Sequence, residues 1–273
     1  MTFVFKDFQG VQHRKKRIKE IELISAYLEP FFRKGHPAKN RGVRILEFGC
    51  GDGIQIDYLL NHGSVVASDI SIQAGWRRRL VEFVESDVVH APFKPKTFDL
   101  IFSNHVLEHI EDLPDAFREL DRIGKPECLY AFAVPTDLWL LLSIPAQYLN
   151  KIIHSVYLIK QKLKRSNPAS ESSTAVSIPL QKRKRARFHA ILDKIKPRGH
   201  GTTGEFFRCH EALKIESWRE LFRANGFHIV AVKPLLIYAP SELPIVPVLP
   251  PAPNLGLCSS VLFLLKRTSS DLT

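Results

Sequence analysis

Short apolar runs alternate along this chain with segments of helical periodicity, and the alternation predicts strands and helices in turn. Ile18 to Phe32 carries Ile18, Ile21, Leu23, Ile24, Tyr27, Leu28 and Phe31, mostly three or four apart, which predicts an amphipathic helix packed on a domain edge. Gly35, Pro37 and Asn40 break it. Ile45, Leu46 and Phe48 then form the compact apolar run of a strand buried on both faces, and Gly49, Gly51 and Gly53 follow at once. A helix over Ile54 to Leu60, stopped by Asn61-His62-Gly63, leads to a second strand over Ser64 to Ile70. A short helix over Ile72 to Arg79 and a strand over Val81 to Val84 come next. Leu100 to Phe102 reads as a fourth strand, Leu113 to Ile123 as a helix with Pro114 in its first turn and Gly124-Lys125-Pro126 as its stop, and Cys128 to Val134 as a fifth strand. After a long interruption the pattern resumes with a helix over Ala212 to Asn225, closed by Gly226, and strands over Phe227 to Ile237 and Ser260 to Lys266. Strands alternating with helices define an α/β domain with a largely parallel, doubly wound sheet.

The glycine stretch fixes the chemistry. Glu47-Phe48-Gly49-Cys50-Gly51-Asp52-Gly53 stands where a strand hands over to a helix, so a loop without bulk faces a small ligand. A dinucleotide fingerprint starting at Gly49 needs glycine at position 54, where Ile54 stands, and the lysine of a phosphate-binding loop is missing. A carboxylate at the strand end suits a ligand with a positive charge better than one with a pyrophosphate. Asp69 closes the second strand about twenty residues on, where a carboxylate accepts ribose hydroxyls. Ser103, Asn104 and His105 stand at the carboxyl end of the fourth strand, where open α/β sheets hold their ligands.

These stretches, with Glu85-Ser86-Asp87-Val88, Ala91-Pro92-Phe93 and Thr97 to His109, resemble in order and distance the class I S-adenosylmethionine-dependent methyltransferases, over roughly Ile18 to Val134. The resemblance implies a Rossmann-like methyltransferase fold, a seven-stranded, mostly parallel sheet with an antiparallel last strand. It implies S-adenosyl-L-methionine as cofactor, held by Glu47, Gly49, Cys50, Gly51, Gly53, Asp69, Ile70, Asp87, Val88, Ser103 and Asn104, with Asp87 on the adenine amino group and the Val88 amide on a ring nitrogen. Base amino-group methyltransferases of this class carry Asp or Asn, two prolines and an aromatic residue after the fourth strand. Ser103-Asn104-His105-Val106 departs from that and disfavours methylation of a base nitrogen. His105, with Glu108 and His109, is a candidate acid–base group, since His105 and His109 share a face if a helix starts by residue 104. His200 is the second catalytic candidate.

Charge separates one further segment. Lys and Arg number 39 against 28 Asp and Glu, a formal charge of +11, and residues 151–200 hold 13 of the basic residues with only Glu171 and Asp193 as acids. The whole excess lies there, next to the apolar run Leu138 to Ile159, which Pro145, Gln147, Asn150, Lys151 and His154 interrupt too often for a membrane span. This basic, partly helical insertion after the fifth strand predicts a lid or a surface that docks on anionic lipid. Nucleic acid is the less favoured partner, because no aromatic residues are interleaved for stacking. The resulting organisation is an N-terminal helical cap over 1–40, a cofactor-binding half over 41–137, the insertion over 138–200 and the C-terminal part of the same domain over 201–273. The four cysteines have no paired spacing, which fits a reducing compartment and no structural zinc, and the N-terminus lacks the apolar core of a secretion signal. The expected protein is cytoplasmic, with peripheral contact at the inner membrane surface through the insertion. Its expected reaction is methyl transfer to a hydroxyl or carboxyl of a small-molecule, lipid-linked or glycan acceptor. An RNA methyltransferase and a non-catalytic cofactor-binding or membrane-surface protein are the competing readings.

Overall fold

The strands order themselves β3-β2-β1-β4-β5-β7-β6 in one seven-stranded sheet of the computed structural model, which describes residues 2–33, 42–71, 81–145, 147–149, 156, 206–238, 248–252 and 256–268. The elements are α1 (Thr2–Arg33), β1 (Val43–Phe48), α2 (Ile56–Leu59), β2 (Gly63–Asp69), β3 (Glu82–Glu85), β4 (Phe98–Asn104), α3 (Leu113–Ile123), β5 (Gly124–Pro135), α4 (Phe206–Ala212), α5 (Ile215–Ala224), β6 (Phe227–Pro234) and β7 (Ser260–Arg267). Strands β1 to β5 pair in parallel, and β7 runs antiparallel between β5 and β6, as the expected doubly wound sheet requires. The order reverses direction at β1, and a ligand crevice forms at such a switch point, beyond the carboxyl ends of the strands.

The pleat sorts side chains to two faces, and each face builds its own core. Leu46, Phe48, Ile101, Tyr130, Phe132 and Phe263 point to one side, against α3 and α5. Val43, Ile45, Val65, Ala67, Leu100 and Phe102 point to the other, against Ile21, Ile24 and Leu28 of α1 and Ile56 and Leu59 of α2. The helix α3 starts where Asp112 accepts a hydrogen bond from the Asp115 amide at 3.0 Å, with Pro114 in the first turn, and it buries Ala116, Phe117, Leu120 and Ile123. On that face Phe222 of α5 meets Phe117, Phe132, Trp218, Phe227 and Phe263 with ring centroids 5.0–6.4 Å apart.

Several predicted bounds move for physical reasons. The first helix begins at Thr2 rather than Ile18, so the basic run from His13 to Lys19 is helical, with Arg14, Lys15 and Lys19 exposed and Lys16 and Arg17 partly buried. Gly124-Lys125-Pro126, read as a helix stop, opens β5 instead. The register against β4 jumps between Phe98 and Leu100, so Pro126 falls in a bulge where no ladder donor is needed, and Lys125 closes it on Asp99 at 2.7 Å. The predicted helix 212–225 is two helices, α4 and α5, joined at 213–214. No helix begins by residue 104: Leu107–His109 is a single 3-10 turn, so His105 and His109 do not share a helix face. The predicted helix 72–79 and most of the 138–200 insertion, His200 and the basic run 182–187 included, lie outside the described residues. A helical run does open that insertion over 137–145 and 147–149, burying Leu140 and leaving Leu141 exposed. Among the described residues no helix is long and apolar enough to cross a membrane.

Phe222→Ala is expected to destabilise the fold by about 3–5 kcal/mol, the usual result of emptying a fully buried aromatic site. Urea unfolding with an unchanged m-value is the check.

Candidate active site

A cleft of ≈ 660 Å³ opens at the carboxyl ends of β1, β2 and β4, with Arg17 of α1 on one wall. Its floor is the glycine turn. Gly49, Gly51 and Gly53 all take positive φ, at 67°, 53° and 69°, and a Cβ on Gly49 would overlap the Val106 side chain. Only glycine meets both demands. Asp69 holds this turn: one carboxylate oxygen accepts from the Gly51 amide at 2.9 Å and the other from the Ser71 amide at 3.2 Å. Each oxygen has a second lone pair left for a ligand. Asp87 accepts from the Val89 amide at 3.0 Å and starts the 3-10 turn Val88–His90, while the Ser68 and Ser86 hydroxyls bridge β2 to β3 at 2.8 Å. Ile70, 75% exposed, presents an open apolar surface beside these carboxylates.

Of the residues expected around the cofactor, Gly49, Gly51, Asp69, Ile70, Asp87, Val88 and Asn104 line this cleft together. Cys50, Gly53 and Ser103 do not. Cys50 is buried with its amide on the Ser68 carbonyl at 3.0 Å, and Ser103 is buried with no partner for its hydroxyl among the described residues. Glu47 is fully buried and stands beneath the cleft rather than in its lining. The pleat puts it on the α1 face, where Gln55 donates to one of its oxygens at 3.0 Å and the other has no hydrogen-bond partner. Burial pushes its carboxyl up to about 8, although Arg17 works the other way.

Arg17 was not foreseen. Its Nε is buried without a hydrogen-bond partner, and a Cβ on Gly51 would come within 3.9 Å of its Nη2. The readable signal was helical spacing: Arg17 and Glu20 share a stripe with Ile21, Ile24 and Leu28, so two charges stand on an apolar face. Glu20 is fully buried. It accepts from Asn104 Nδ2 at 3.3 Å and from the Ser260 hydroxyl, and lies 3.5 Å from His105 Nε2. Asn104 also donates to Gln55 Oε1 at 2.6 Å, so one polar layer runs from Glu47 through Gln55 and Asn104 to Glu20.

His105 ends β4 with φ of 58° and lines the cleft. Its Nε2 meets the Tyr238 hydroxyl at 3.0 Å and its Nδ1 lies 3.4 Å from Glu108 Oε1, an ion-pair contact rather than an aligned hydrogen bond. Burial alone would lower its pKa, but the Glu20 carboxylate, aided by Glu108, outweighs burial and raises it. Glu20 and Glu108, each penalised by burial, are in turn held below the usual carboxylate range chiefly by His105. The expected acid–base candidate His105 thus stands in the cleft between two carboxylates that favour its charged form.

A glycine turn at a topological switch point, with carboxylates on the next two strand tips, defines a nucleoside-binding α/β enzyme domain. Residues 46–132 match the family model described as "Methyltransferase domain", and S-adenosylmethionine-dependent methyltransferases are among the solved structures that share the fold. The chain is similar to a malonyl-[acyl-carrier protein] O-methyltransferase of Legionella pneumophila, 34% identical over 29% of this chain and 32% of the relative. It is also similar to a ubiquinone biosynthesis O-methyltransferase of Neisseria meningitidis, 28% identical over 46% of this chain and 55% of the relative. The chain thus spans between about a third and about a half of the length of these curated relatives. A solved S-adenosylmethionine-dependent methyltransferase from Thermotoga maritima shares the fold at 16% identity, with a TM-score of 0.53 over 97% of this chain and 96% of that one.

Gly49→Ala is expected to weaken S-adenosylhomocysteine binding by at least about tenfold, because it adds an overlap with Val106 to the ~1–2 kcal/mol strain of a side chain at positive φ. Gly42→Ala, at φ 74° with nothing within 4 Å of the added carbon, is the control that carries the strain alone. Calorimetry on both variants separates the two contributions.

Proposed function

We propose that this protein is a methyltransferase that transfers a methyl group from S-adenosylmethionine to a hydroxyl or carboxyl oxygen of a small-molecule or lipid-linked acceptor. The observation that carries this reading is a pair of oppositely charged, unsatisfied groups, Arg17 on a wall of the cleft and Glu47 beneath it. Arg17 has a buried donor without an acceptor and Glu47 a buried acceptor without a donor. A ligand bearing a carboxylate and an ammonium on one carbon satisfies both, and the amino-acid end of S-adenosylmethionine is such a group. Asp69 then takes the ribose hydroxyls with its remaining lone pairs, Asp87 and the Val88 amide take the adenine edge, and Ile70 and Val88 cover its faces.

When bound, the cofactor supplies an electrophilic methyl group on a sulfonium. The chain's own residues orient it and keep water out, which is most of what such a displacement needs. The O-methyltransferase names of the two relatives support an oxygen acceptor. We read α1 as the cap of the cofactor site, the core domain as two parts, 41–137 and 201–273, and the 138–200 insertion as the acceptor lid that also meets anionic lipid. The charge of 151–200 supports the last point. Liposome flotation of the full chain against one lacking 138–198 tests it: a chain that floats equally well without the segment refutes lipid docking there.

Arg17→Met is expected to weaken S-adenosylhomocysteine binding about 10- to 100-fold, the usual worth of a charge-assisted hydrogen bond of ~1.5–3 kcal/mol. Glu47→Gln tests the acid. An ammonium favours the ionised carboxyl, so binding below a free-protein pKa of about 8 releases a proton and the affinity rises with pH toward that value. Calorimetry from pH 6 to 8 in buffers of different ionisation enthalpy should show proton release in the wild type and none in Glu47→Gln. No cofactor binding by the wild type would refute the assignment.

A further inference from the structure

We propose that α1 is a proton-controlled latch on the cofactor cleft: it stays closed while His105 carries a proton on both ring nitrogens and pairs with Glu20, and loss of the Nε2 proton releases it together with Arg17. The latch goes beyond the methyltransferase reading above and depends on it only for the identity of the ligand. Glu20, fully buried, meets two neutral donors, Asn104 Nδ2 and the Ser260 hydroxyl, and His105, with Nε2 3.5 Å from Glu20 Oε1, is the cation that the core offers it. The pair joins α1 to the end of β4, across the seam where helix meets sheet. His105 is furnished for either protonation state. Its Nδ1 faces Glu108 Oε1 at 3.4 Å, and its Nε2 meets at 3.0 Å the Tyr238 hydroxyl, whose proton is retained by burial. A tyrosine hydroxyl accepts from a ring N–H and donates to a ring lone pair. The neutral tautomer with its hydrogen on Nδ1 therefore keeps both neighbours, and Glu20 is left with a buried charge that favours return to water.

Arg17 stands one turn before Glu20 on the same stripe of α1 and lines the cleft, so one movement withdraws both. The other titratable groups of the cleft, Asp69, Asp87, His90, His109, Glu111 and Asp112, stand with His105 on the core and are not parted from it. Burial alone would lower the His105 pKa; Glu20 and Glu108 outweigh burial and raise it, so the docked helix binds the proton more tightly than the released one. The latch is at full strength below the ordinary histidine value of about 6.5 and is lost as pH rises through the raised one. Two further groups titrate at this seam. Burial lowers Lys16 of α1, 3.7 Å from the centroid of the Tyr238 ring, to about 8 against the pull of Glu20 and Glu108, so its proton loss favours docking and opposes the trend. Burial raises Glu47 to about 8, and release of α1 would undo that burial, so Glu47 acts in the same direction as His105 and is removed from the test by Glu47→Gln.

Ligand-free Glu47→Gln protein is followed by hydrogen exchange from pH 6 to 8, with the protection of the α1 amides taken relative to the intrinsic rate at each pH. The expected protection is level to about pH 6.5 and then falls by up to about tenfold per pH unit, the limit for one linked proton, while the amides of β4 and β5 keep theirs. Adding His105→Gln should leave α1 at least about tenfold less protected at pH 6 and abolish the fall, since half of a buried pair is then missing; adding Glu20→Gln as well should restore the protection, since neutralising both sides costs little. Rescue by a second loss is a result that a purely structural His105 would not give. The S-adenosylhomocysteine affinity of Glu47→Gln should fall over the same pH range and stay level in the triple variant. Level α1 protection in Glu47→Gln, a fall that survives His105→Gln, no recovery on adding Glu20→Gln, or an affinity that stays level while α1 opens overturns the proposal. Should His105→Gln fail to fold, the pH series on Glu47→Gln decides alone. If S-adenosylhomocysteine does not bind the wild type, the methyltransferase reading fails, whereas the exchange of α1 still decides the latch.

Discussion

A carboxylate removed entirely from water on the apolar face of a helix stays ionised only if cations and donors come to it from the rest of the fold, and Glu20 is supplied by two separate strands. Asn104 and His105 reach it from the end of β4, and Ser260 from the start of β7. Removing one partner would leave an uncompensated buried charge, which costs about 3–5 kcal/mol in comparable sites, whereas the intact pair adds little net stability over apolar packing. The value of the arrangement lies in register. With Glu20 fixed, Arg17 stands one turn earlier on the same stripe of α1 and is delivered to the cleft wall.

The same layer explains why catalytic-looking residues lie where they do. Glu47, Asn104 and Ser260 occupy strand positions whose side chains point to the α1 face, next to Ile45, Phe102 and Leu262. A pleat that turned them the other way would set them among Phe48, Phe132 and Phe263, with no donor within reach. The polar layer is therefore a consequence of strand parity meeting one helix that carries charge on its buried side. It puts Glu47 under the glycine turn rather than beside it, and lets burial raise the carboxyl while Arg17 opposes the rise.

Much of this was legible in the sequence because local and global signals agree there. Ile45 to Phe48 followed by Gly49, Gly51 and Gly53 admits few structures other than a buried strand and a tight turn, and helix α3, with Asp112, Pro114 and its apolar stripe, was read to its exact ends. Asp69 was placed by its distance from the glycine turn and Asp87 by the family resemblance, and both reach the cleft. What was not legible depends on partners distant in sequence. Whether Arg17 and Lys16 face water or the interior is decided by Glu20, Tyr238 and Glu108, and Tyr238 follows Lys16 by more than two hundred residues. His105 reads as an acid–base candidate because its neighbours Glu108 and His109 are visible in sequence; Glu20, which raises its pKa, is not. The extra residues of β5 escaped because Pro126 signals a stop unless a bulge is foreseen across from Asp99.

The boundary of the family match has a physical meaning. Residues 46–132 contain the glycine turn, Asp69, Asp87 and the end of β4, which are the groups suited to a nucleoside. Arg17, Lys16 and Glu20 precede that stretch, and Tyr238 and Ser260 follow it. The segment matched by the family model thus carries the glycine turn and its carboxylates, while the charged groups of α1 and their partners on the last strands come from outside it. Function on a shared fold is set by such added residues. Helix α1 carries both Glu20, which ties it to β4 and β7, and Arg17, which reaches the cleft wall, so the docking of α1 and the completion of the cleft are one event.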